Sequence, residues 1–338
     1  MKEGGPSISQ DTPPVPAPWA QPSIAVLVPC YNEEATIAKV VTEFRTALPE
    51  ATVYVYDNAS TDRTSELARA AGAVVRREPQ PGKGNVVRRM FADVEADIYV
   101  LVDGDATYDA GSAPTMVERL RSELLDMVNG ARVTHESTAF RLGHRFGNTL
   151  LTDIVAMMFG NRIQDMLSGF RVFSRRFVKS FPALSKGFEI ETELTVHALE
   201  LRMPVAEIST PYRSRPEGSS SKLRTIKDGT RILMTIIRLL KEERPLTFFG
   251  VVSALSALLS LVLAYPIFIT YFETGLVPRF PTAILSSAIM VLAFLSLSAG
   301  IILDTVTRGR WEMKRMRYLS FPASSDRPSV AGARADDW

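Results

Sequence analysis

The sequence predicts an α/β domain with a mainly parallel sheet, followed by two membrane-spanning helices. Short apolar runs alternate with segments of helical spacing between residues 24 and 102. Such alternation is typical of parallel strands joined by helical crossovers. Two uncharged apolar stretches, 246–271 and 280–303, come later, and each is longer than the ~20 residues that cross a hydrocarbon core.

The elements of the α/β domain follow from apolar runs and their spacing. Strands are predicted at 24–28, 52–56, 74–75 and 98–102, because each is a short apolar run. Helices are predicted between them, at 33–48, 60–71 and 83–92. The second helix begins with Ser60, Thr61 and Asp62, whose side chains are suited to capping a helix N-terminus.

The rest of the chain divides by composition. Residues 1–22 are rich in Pro, Ser and Gly and lack an apolar segment, which predicts a disordered tail and not a signal peptide. The α/β domain is expected over 23–223. A juxtamembrane amphipathic helix (224–244), two transmembrane helices (245–304) and a basic cytoplasmic tail with a disordered end (305–338) are expected to follow it.

Charge predicts how these helices lie. Basic residues precede the first span and follow the second, so the positive-inside rule predicts a multi-pass protein of the cytoplasmic (inner) membrane, with the α/β domain and both termini on the cytoplasmic side. Apolar and basic residues are interleaved over 226–240, which indicates a helix on the membrane surface; an ordinary basic surface helix is the alternative. Small residues in the spans leave a homo-oligomer possible.

Composition excludes several classes of function. A formal net charge of +2 is too small to indicate a nucleic-acid partner. The single cysteine, Cys30, rules out a disulfide framework, and the three histidines have no ligand-like spacing. Zinc is therefore disfavoured, and a hard cation with oxygen ligands is the better expectation.

Polar side chains follow three of the predicted strands. Tyr31-Asn32-Glu33, Asp57-Asn58 and Asp103-Gly104-Asp105 each come just after an apolar run. Open α/β sheets bind ligands at the carboxyl ends of their strands. Residues two apart on an extended segment point the same way, so the two aspartates can face one hard cation. An isolated Asp-x-Asp is more often a solvated turn, but three clusters at one sheet edge describe a site.

The loops carry further information about phosphate binding. No Walker A sequence is present, and no Gly-x-Gly-x-x-Gly follows the first strand, so P-loop and Rossmann dinucleotide enzymes are disfavoured. Pro81-Gly82-Lys83-Gly84-Asn85 lies at the start of a predicted helix. A helix N-terminus with a nearby lysine suits a phosphate group, although such a sequence is often only a turn and cap.

Six stretches in order resemble family 2 glycosyltransferases, specifically membrane-associated polyprenyl-phosphate glycosyltransferases of the dolichol-phosphate-mannose-synthase type. They are VPCYNE (28–33), YDNASTDRT (56–64), PGKGN (81–85), VDGDATYD (102–109), SGFRVFSR (168–175) and RPEGSSSKL (215–223). The resemblance implies a GT-A-type domain that binds a nucleotide sugar. The basic helix and the two spans also resemble the anchors that some members of this family carry.

The resemblance also implies site residues. Pro29, Tyr31 and Glu33 would line the nucleoside pocket, and Asp57 would contact the base. Lys83 would lie near the nucleotide, and Asp103 and Asp105 would hold Mg²⁺ or Mn²⁺ against the donor diphosphate. On the acceptor side, Arg132 would lie near the acceptor phosphate, with Arg145 as a second candidate, and Glu191 would lie close to the active site. Ser168, Gly169 and Arg171 would shape the acceptor loop. A late basic loop would supply Arg215, Ser221 and Lys222. Thr107 stands where the family pattern often has Gln, which puts the third metal or phosphate contact in doubt.

The implied function is an inverting, metal-dependent transfer of a sugar from a UDP- or GDP-linked donor to a polyprenyl monophosphate in the membrane. One alternative is a processive polysaccharide synthase of the same superfamily. Those enzymes usually carry a Q-x-x-R-W motif, and Thr307 stands where its Gln is needed before Arg310-Trp311. The other alternative is a non-catalytic membrane scaffold with a transferase-like domain, which the intact pair of aspartates disfavours.

Overall fold

A computed structural model describes residues 22–133, 163–187, 189–213 and 240–322, together with positions 234, 237 and 238. The strands are β1 Ile24–Cys30, β2 Thr52–Asp57, β3 Val74–Arg77, β4 Ile98–Leu101, β5 Met127–Val133, β6 Arg171–Ser174 and β7 Val205–Pro211. The helices are α1 Ile37–Ala47, α2 Thr64–Ala70, α3 Lys83–Asp93, α4 Ala113–Ser122, α5 Arg175–Ser180, α6 Ile190–Glu200, α7 Pro245–Thr274 and α8 Phe280–Leu319. The four strands and three helices predicted between residues 24 and 102 are all present, with ends that shift by a few residues.

The strands form one seven-stranded sheet in the order β3-β2-β1-β4-β6-β5-β7. Strands β1 to β4 pair in parallel, and β5 pairs in parallel with β7. Strand β6 is antiparallel to both of its neighbours, so the sheet is mainly parallel, as expected, but mixed. The order of the strands reverses between β1 and β4, because β2 and β3 lie on one side of β1 and the later strands lie on the other. In such sheets the crevice outside the carboxyl ends of these two strands is where ligands bind.

Helices cover both faces of this sheet because its central strands are apolar on both sides. Alternate residues of β1 and β4 belong to two separate cores, as the two-residue period of a strand requires. Helices α1 and α4 pack on one face, with Val26 and Val100 beneath them. Helices α3, α5 and α6 pack on the other face, over Leu27 and Tyr99. The double coverage fixes the strand ends, and therefore the loops that follow them.

Helices α7 and α8 are long and apolar enough to cross a membrane. In the most apolar window of each helix only 11% and 17% of the residues are buried within the chain, so most of this apolar surface faces outward. The two helices pack along each other, and Ser260 Oγ donates a hydrogen bond of 2.8 Å to the carbonyl oxygen of Ser286. The predicted amphipathic helix over 226–240 lies mostly outside the described residues.

Helix α8 does not end where its apolar stretch ends. It continues without a break to Leu319, past the boundary expected at residue 304, and its last turns contact the α/β domain. Tyr318 Oη donates to a carboxylate oxygen of Asp126 at 2.7 Å, and Lys314 Nζ donates to Glu200 at 2.7 Å. Arg176 pairs with the same Asp126. The apolar helices are thus joined to the sheet domain by a continuous helix.

Candidate active site

The loops after β1 and β4 are held together at the carboxyl edge of the sheet. Thr36, which precedes α1, donates its hydroxyl hydrogen to the carbonyl oxygen of Gly104 at 2.7 Å. Gly104 lies against β1, and a Cβ atom there would be 2.6 Å from the sulfur of Cys30. Only glycine fits between the two aspartates, and its close packing fixes the loop that carries both carboxylates.

Asp103 projects over the loop that precedes β6. A Cβ atom on Gly169 would collide with the Asp103 carboxylate, so glycine is required for this approach. The Gly169 amide donates to Tyr108 Oη at 2.7 Å, which holds the glycine in place. Gly169 therefore shapes the wall of the site beneath Asp103.

Lys83 lies between two carboxylates. Its Nζ atom is 2.5 Å from Asp103 Oδ1 and 2.5 Å from Glu191 Oε1. Burial alone would lower the pKa of Lys83, but the charges of Asp103 and Glu191 outweigh burial and raise that pKa above its usual range. Burial raises the pKa of Glu191, against the effect of Lys83. The Glu191 Oε2 atom is buried without a hydrogen-bond partner in the described part of the chain.

The start of α3 is closed by a neighbouring loop. The Gly84 amide donates to the carbonyl oxygen of Lys186 at 3.1 Å, and the amides of Asn85 and Val86 donate to Gly82. A Cβ atom on Gly84 would collide with the backbone of Ser185. The amides of Gly84, Asn85 and Val86 therefore already have partners within the chain. Lys83 enters the site through its side chain.

Asp105 is buried, and its carboxylate is held by Thr107, which stands where the family pattern often has Gln. Its Oδ1 atom accepts hydrogen bonds from the Thr107 amide at 3.2 Å and from the Thr107 hydroxyl at 2.6 Å. Burial raises the pKa of the nearby Tyr212 hydroxyl, and the charges of Asp105 and, to a smaller extent, Asp103 add to the rise. Both aspartates therefore disfavour ionisation of one tyrosine, and Thr107 orients Asp105.

Arg132, at the end of β5, is fixed by an acid that the sequence did not single out. Its guanidinium group makes two hydrogen bonds to Asp165, at 2.6 and 2.8 Å, and lies 5.5 Å from the ring centre of Tyr212. Burial opposes ionisation of Asp165, but Arg132 outweighs it and lowers the pKa of that carboxyl. The arginine is thus held in one orientation beside Tyr212.

Arg171, named with Ser168 and Gly169 for the acceptor loop, is an internal residue. Its side chain is fully buried and donates to the carbonyl oxygens of Ser168 and Met166 and to the Thr195 hydroxyl. Burial lowers its pKa to about 10. Arg171 therefore stabilises the loop that carries Gly169 from beneath.

The cluster after β2 joins three loops. The Asp57 carboxylate accepts hydrogen bonds from the Ser60 amide at 2.9 Å and the Ser65 hydroxyl at 2.7 Å. The Asn58 side-chain oxygen accepts from the Gly82 amide at 2.7 Å. Asp57 therefore orients the segment before α2, and Asn58 ties this edge to the loop that carries Lys83.

The predicted nucleoside-pocket residues lie at the end of β1. Tyr31 is 46% exposed, whereas Glu33 is buried and its backbone amide donates to the Thr64 hydroxyl oxygen at 2.8 Å. Pro29 is half-buried in the strand. The exposed tyrosine ring beside a buried acid is compatible with a base-stacking surface. Arg145, Arg215, Ser221 and Lys222 lie outside the described residues.

Comparisons with known proteins identify the family. The model of glycosyl transferase family 2 matches residues 25–181. The glycosyltransferase AglJ of Haloferax volcanii is 34% identical over 301 residues, which are 88% of this chain and 98% of that protein. The chain belongs to glycosyltransferase family 2. This confirms the resemblance and the expectation that the chain is an enzyme of the glycosyltransferase class.

Two further comparisons describe relatives of this glycosyltransferase. A dolichyl-phosphate hexose transferase of Haloferax volcanii is 28% identical over 222 residues, which cover 65% of this chain and 95% of that protein. Glucosyl-3-phosphoglycerate synthase from Mycobacterium tuberculosis, crystallised with Mn²⁺, UDP and glucosyl-3-phosphoglycerate, has a TM-score of 0.53 and 25% identity over 65% of this chain and 79% of that chain. The α/β part of this glycosyltransferase therefore has the expected GT-A-like fold.

The described residues of this glycosyltransferase suit a divalent cation that is shared with a substrate. They contain no group of three or more His, Cys, Asp or Glu side chains placed to hold a metal. Mg²⁺ is commonly bound by one or two carboxylates together with substrate phosphates, and Asp103 and Asp105 supply that number. The excess of carboxylate over ammonium around Lys83 also favours an additional positive charge. The donor set fits the implied cation.

Proposed function

We propose that this glycosyltransferase transfers a sugar, with inversion, from a nucleoside diphosphate sugar to a polyprenyl monophosphate at the cytoplasmic face of a membrane. The observation that carries this proposal is structural continuity: α8 runs from an outward-facing apolar segment to Asp126 of the sheet domain. A helix that is continuous from the apolar segment to the sheet domain holds this domain at a fixed distance from lipid, as an acceptor anchored in the membrane requires.

The carboxylate edge supports a diphosphate leaving group. Asp103 and Asp105 would hold Mg²⁺ or Mn²⁺, which when bound neutralises negative charge that develops on the departing diphosphate. Lys83 adds a fixed positive charge, and its contacts with Asp103 and Glu191 keep that ammonium group at the same edge. The complex of glucosyl-3-phosphoglycerate synthase with Mn²⁺ and UDP supports a nucleotide donor of this kind.

The nucleophile in this proposal is an oxygen of the acceptor phosphate. Its second pKa is about 6 for a phosphate monoester, so the group is largely ionised at neutral pH and needs no strong general base. Arg132, oriented by Asp165, would hold this phosphate in line with the sugar. As the new bond forms at the anomeric carbon, the bond to the diphosphate oxygen breaks on the opposite face, which inverts the configuration.

The acceptor is inferred from the apolar helices and from a relative. A polyprenyl tail stays in the hydrocarbon core, so its phosphate reaches the enzyme only at the membrane surface. The name of the dolichyl-phosphate hexose transferase of Haloferax volcanii supports a polyprenyl phosphate of this kind. Arg215, Ser221 and Lys222 are proposed to close over the phosphates of both substrates.

A donor screen tests the proposal. Purified full-length protein, with Mg²⁺ or Mn²⁺ and a short-chain polyprenyl phosphate, is incubated with each UDP- and GDP-sugar in turn, and lipid-linked sugar is measured. We expect product with one donor or a small set of donors. No product from any donor, with nucleotide binding intact, would refute the proposed reaction.

A further inference from the structure

Strand β7 is an outer strand of the sheet and pairs with β5, whose end carries Arg132. Glu207, in the middle of β7, lies opposite Asn129 of β5 in the parallel register. Asn129 comes three residues before Arg132, which corresponds to ~10 Å of extended strand. Glu207 is thus set back from the edge of the sheet at which Arg132 lies.

The Glu207 carboxylate holds two consecutive backbone amides. Its Oε2 atom accepts from the Gln164 amide at 2.8 Å, and its Oε1 atom accepts from the Asp165 amide at 3.1 Å. The Oε1 atom also accepts from the side-chain amide of Asn129 at 2.7 Å. All three partners are N–H donors, as a carboxylate requires, and hydrogen bonds to a charged acceptor are stronger than neutral ones. Glu207 therefore anchors the segment that contains Gln164 and Asp165.

Asn129 binds the same segment through the other backbone group of Asp165. Its side-chain nitrogen donates a second hydrogen bond, to the carbonyl oxygen of Asp165 at 2.9 Å, and Asn129 is fully buried. The N–H and C=O groups of Asp165 are thus bound by Glu207 and Asn129 respectively. Asp165 is buried but belongs to no strand or helix, and buried backbone groups outside regular structure need such partners. The two side chains do for Asp165 what a neighbouring strand would do.

The side chain of Asp165 in turn binds Arg132 at three points. The backbone amide, Nε and Nη2 of Arg132 donate to the Asp165 carboxylate at 3.1, 2.6 and 2.8 Å. The Arg132 and Asp165 side chains are only 16% and 9% exposed, so water competes little for these bonds. The guanidinium group cannot turn without breaking them. The orientation of Arg132 therefore depends on where Asp165 is held, and Glu207 and Asn129 hold it.

We propose that Glu207 and Asn129 are positioning residues for acceptor binding, which act on Arg132 through Asp165. The inference rests on the proposed function, in which Arg132 binds the phosphate of a polyprenyl phosphate. A misplacement of about 1 Å, caused far from the reacting atoms, can cost a hundredfold in rate, so this support matters without touching the substrate. Glu207 and Asn129 both lie outside the six stretches that carry the family resemblance.

Hydrogen exchange of the full-length protein in detergent, read by mass spectrometry, tests the anchoring contact. Glu207→Gln keeps the length of the side chain but replaces one acceptor oxygen by an NH₂ donor, which then faces a backbone amide. The peptide that contains Gln164 and Asp165 should exchange faster in this variant. Asp165→Asn keeps both amides bound to Glu207 and should leave the peptide as protected as in the wild type. Wild-type protection in Glu207→Gln would overturn the anchoring role.

Steady-state kinetics with farnesyl phosphate and the active donor test the consequence for the acceptor. Glu207→Gln should raise KM for farnesyl phosphate by roughly fivefold, as expected when part of a charge-assisted contact is lost, and should leave KM for the donor within about twofold. Asn129→Ser, a second variant, should shift the acceptor KM in the same direction. Equal changes in both KM values, or a lower unfolding midpoint with an unchanged acceptor KM, would show a purely structural role and overturn the proposal.

A double variant tests whether the effect passes through Asp165. Once Asp165→Asn has loosened Arg132, the support of residue 165 has little left to transmit. Adding Glu207→Gln to Asp165→Asn should therefore change the acceptor KM by less than about twofold, whereas the effects of independent sites would multiply. Multiplied effects of the two substitutions would contradict action through Asp165.

The matched control is Asp97→Asn. The Asp97 carboxylate also accepts a backbone amide, that of Ser23 at 2.9 Å, but it precedes β4 and so lies at the opposite edge of the sheet; this variant should keep the wild-type acceptor KM. Calorimetric titration of farnesyl phosphate without donor separates the two proposals. No binding to the wild type would refute the proposed acceptor, and the positioning role with it. Binding that is equally tight in the wild type and in Glu207→Gln would overturn the positioning role alone.

Discussion

Lys83→Met removes the ammonium group that contacts both Asp103 and Glu191. Methionine keeps most of the length of the side chain but leaves two neighbouring carboxylates without their shared partner. The Lys83 and Glu191 side chains are 9% and 7% exposed, while Asp103 is 29% exposed. The lost stabilisation therefore comes mainly from Glu191, whose buried charge has no other partner, since water can still reach Asp103.

The magnitude follows from this burial. Removing one partner of a buried ion pair costs about 3–5 kcal/mol, and the partial exposure of Asp103 favours the lower end, about 3 kcal/mol. Glu191→Gln alone should cost about 1 kcal/mol, because Lys83 keeps Asp103 as its partner. The double variant has no uncompensated charge at residue 191 and should cost about 2 kcal/mol. The two sites are then coupled by about 2 kcal/mol.

Thermal unfolding of the full-length protein in detergent, without metal or nucleotide, measures these costs. A loss of about 3 kcal/mol should lower the unfolding midpoint by about 6–12 °C. Lys39→Met is the matched control, because Lys39 is 51% exposed and its pair with Glu43 lies on the surface; it should cost less than about 0.5 kcal/mol. Strictly additive losses in the double variant, or a Lys83→Met midpoint equal to that of the control, would refute the role assigned to this lysine.

Three further predictions concern the acids and the buried histidine. Asp105→Asn should abolish both sugar transfer and the stabilisation of the protein by Mn²⁺ with UDP. Glu123→Gln, a surface control, should retain both. Sugar transfer by Asp105→Asn would show that this residue does not bind the metal. Asp165→Asn should free the Arg132 guanidinium and raise KM for polyprenyl phosphate by roughly tenfold with little change for the donor; a change confined to the donor KM would count against acceptor binding by Arg132. Burial lowers the pKa of His197 in the folded protein to about 3, whereas the same ring in the unfolded chain binds a proton near pH 6.5. The unfolded state therefore gains stability relative to the fold as the pH falls below 6.5, and between pH 7 and pH 5 the free energy of unfolding of the wild type should fall by about 2 kcal/mol more than that of His197→Gln. Equal losses in the two proteins would show that the ring is not held neutral.

The first half of the sheet was predictable because its residues follow simple periodicity. Strands β1 to β4 are apolar runs, and their helices begin and end near the predicted positions. Strands β5, β6 and β7 were not predicted. They carry Asn129, Arg171 and Glu207 within the sheet, and those side chains are satisfied by partners distant in sequence, such as Thr195 for Arg171 and the Glu207 carboxylate for Asn129. The local sequence pattern of a strand does not show which distant residues will bind its polar side chains.

The contacts at the carboxylate edge could not be predicted from the sequence. Asp103, Asp105, Lys83 and Glu191 were named from ordered motifs as candidates, yet the contact of Lys83 with Glu191 joins positions 108 apart in sequence. Asp165 has no local signal at all, because its role comes from β5 folding beside it. The extension of α8 beyond its apolar stretch was also missed, since hydropathy reports where a span ends and not where a helix ends.

The most direct test of the central claim is the identity of the nucleotide released during transfer to a polyprenyl phosphate. With the active donor, the protein should release one nucleoside diphosphate for each lipid-linked sugar formed, and the product should contain a single phosphate between lipid and sugar, with inverted anomeric configuration. Release of a nucleoside monophosphate with a diphosphate-linked product, or release of nucleoside diphosphate that does not depend on the polyprenyl phosphate, would contradict it.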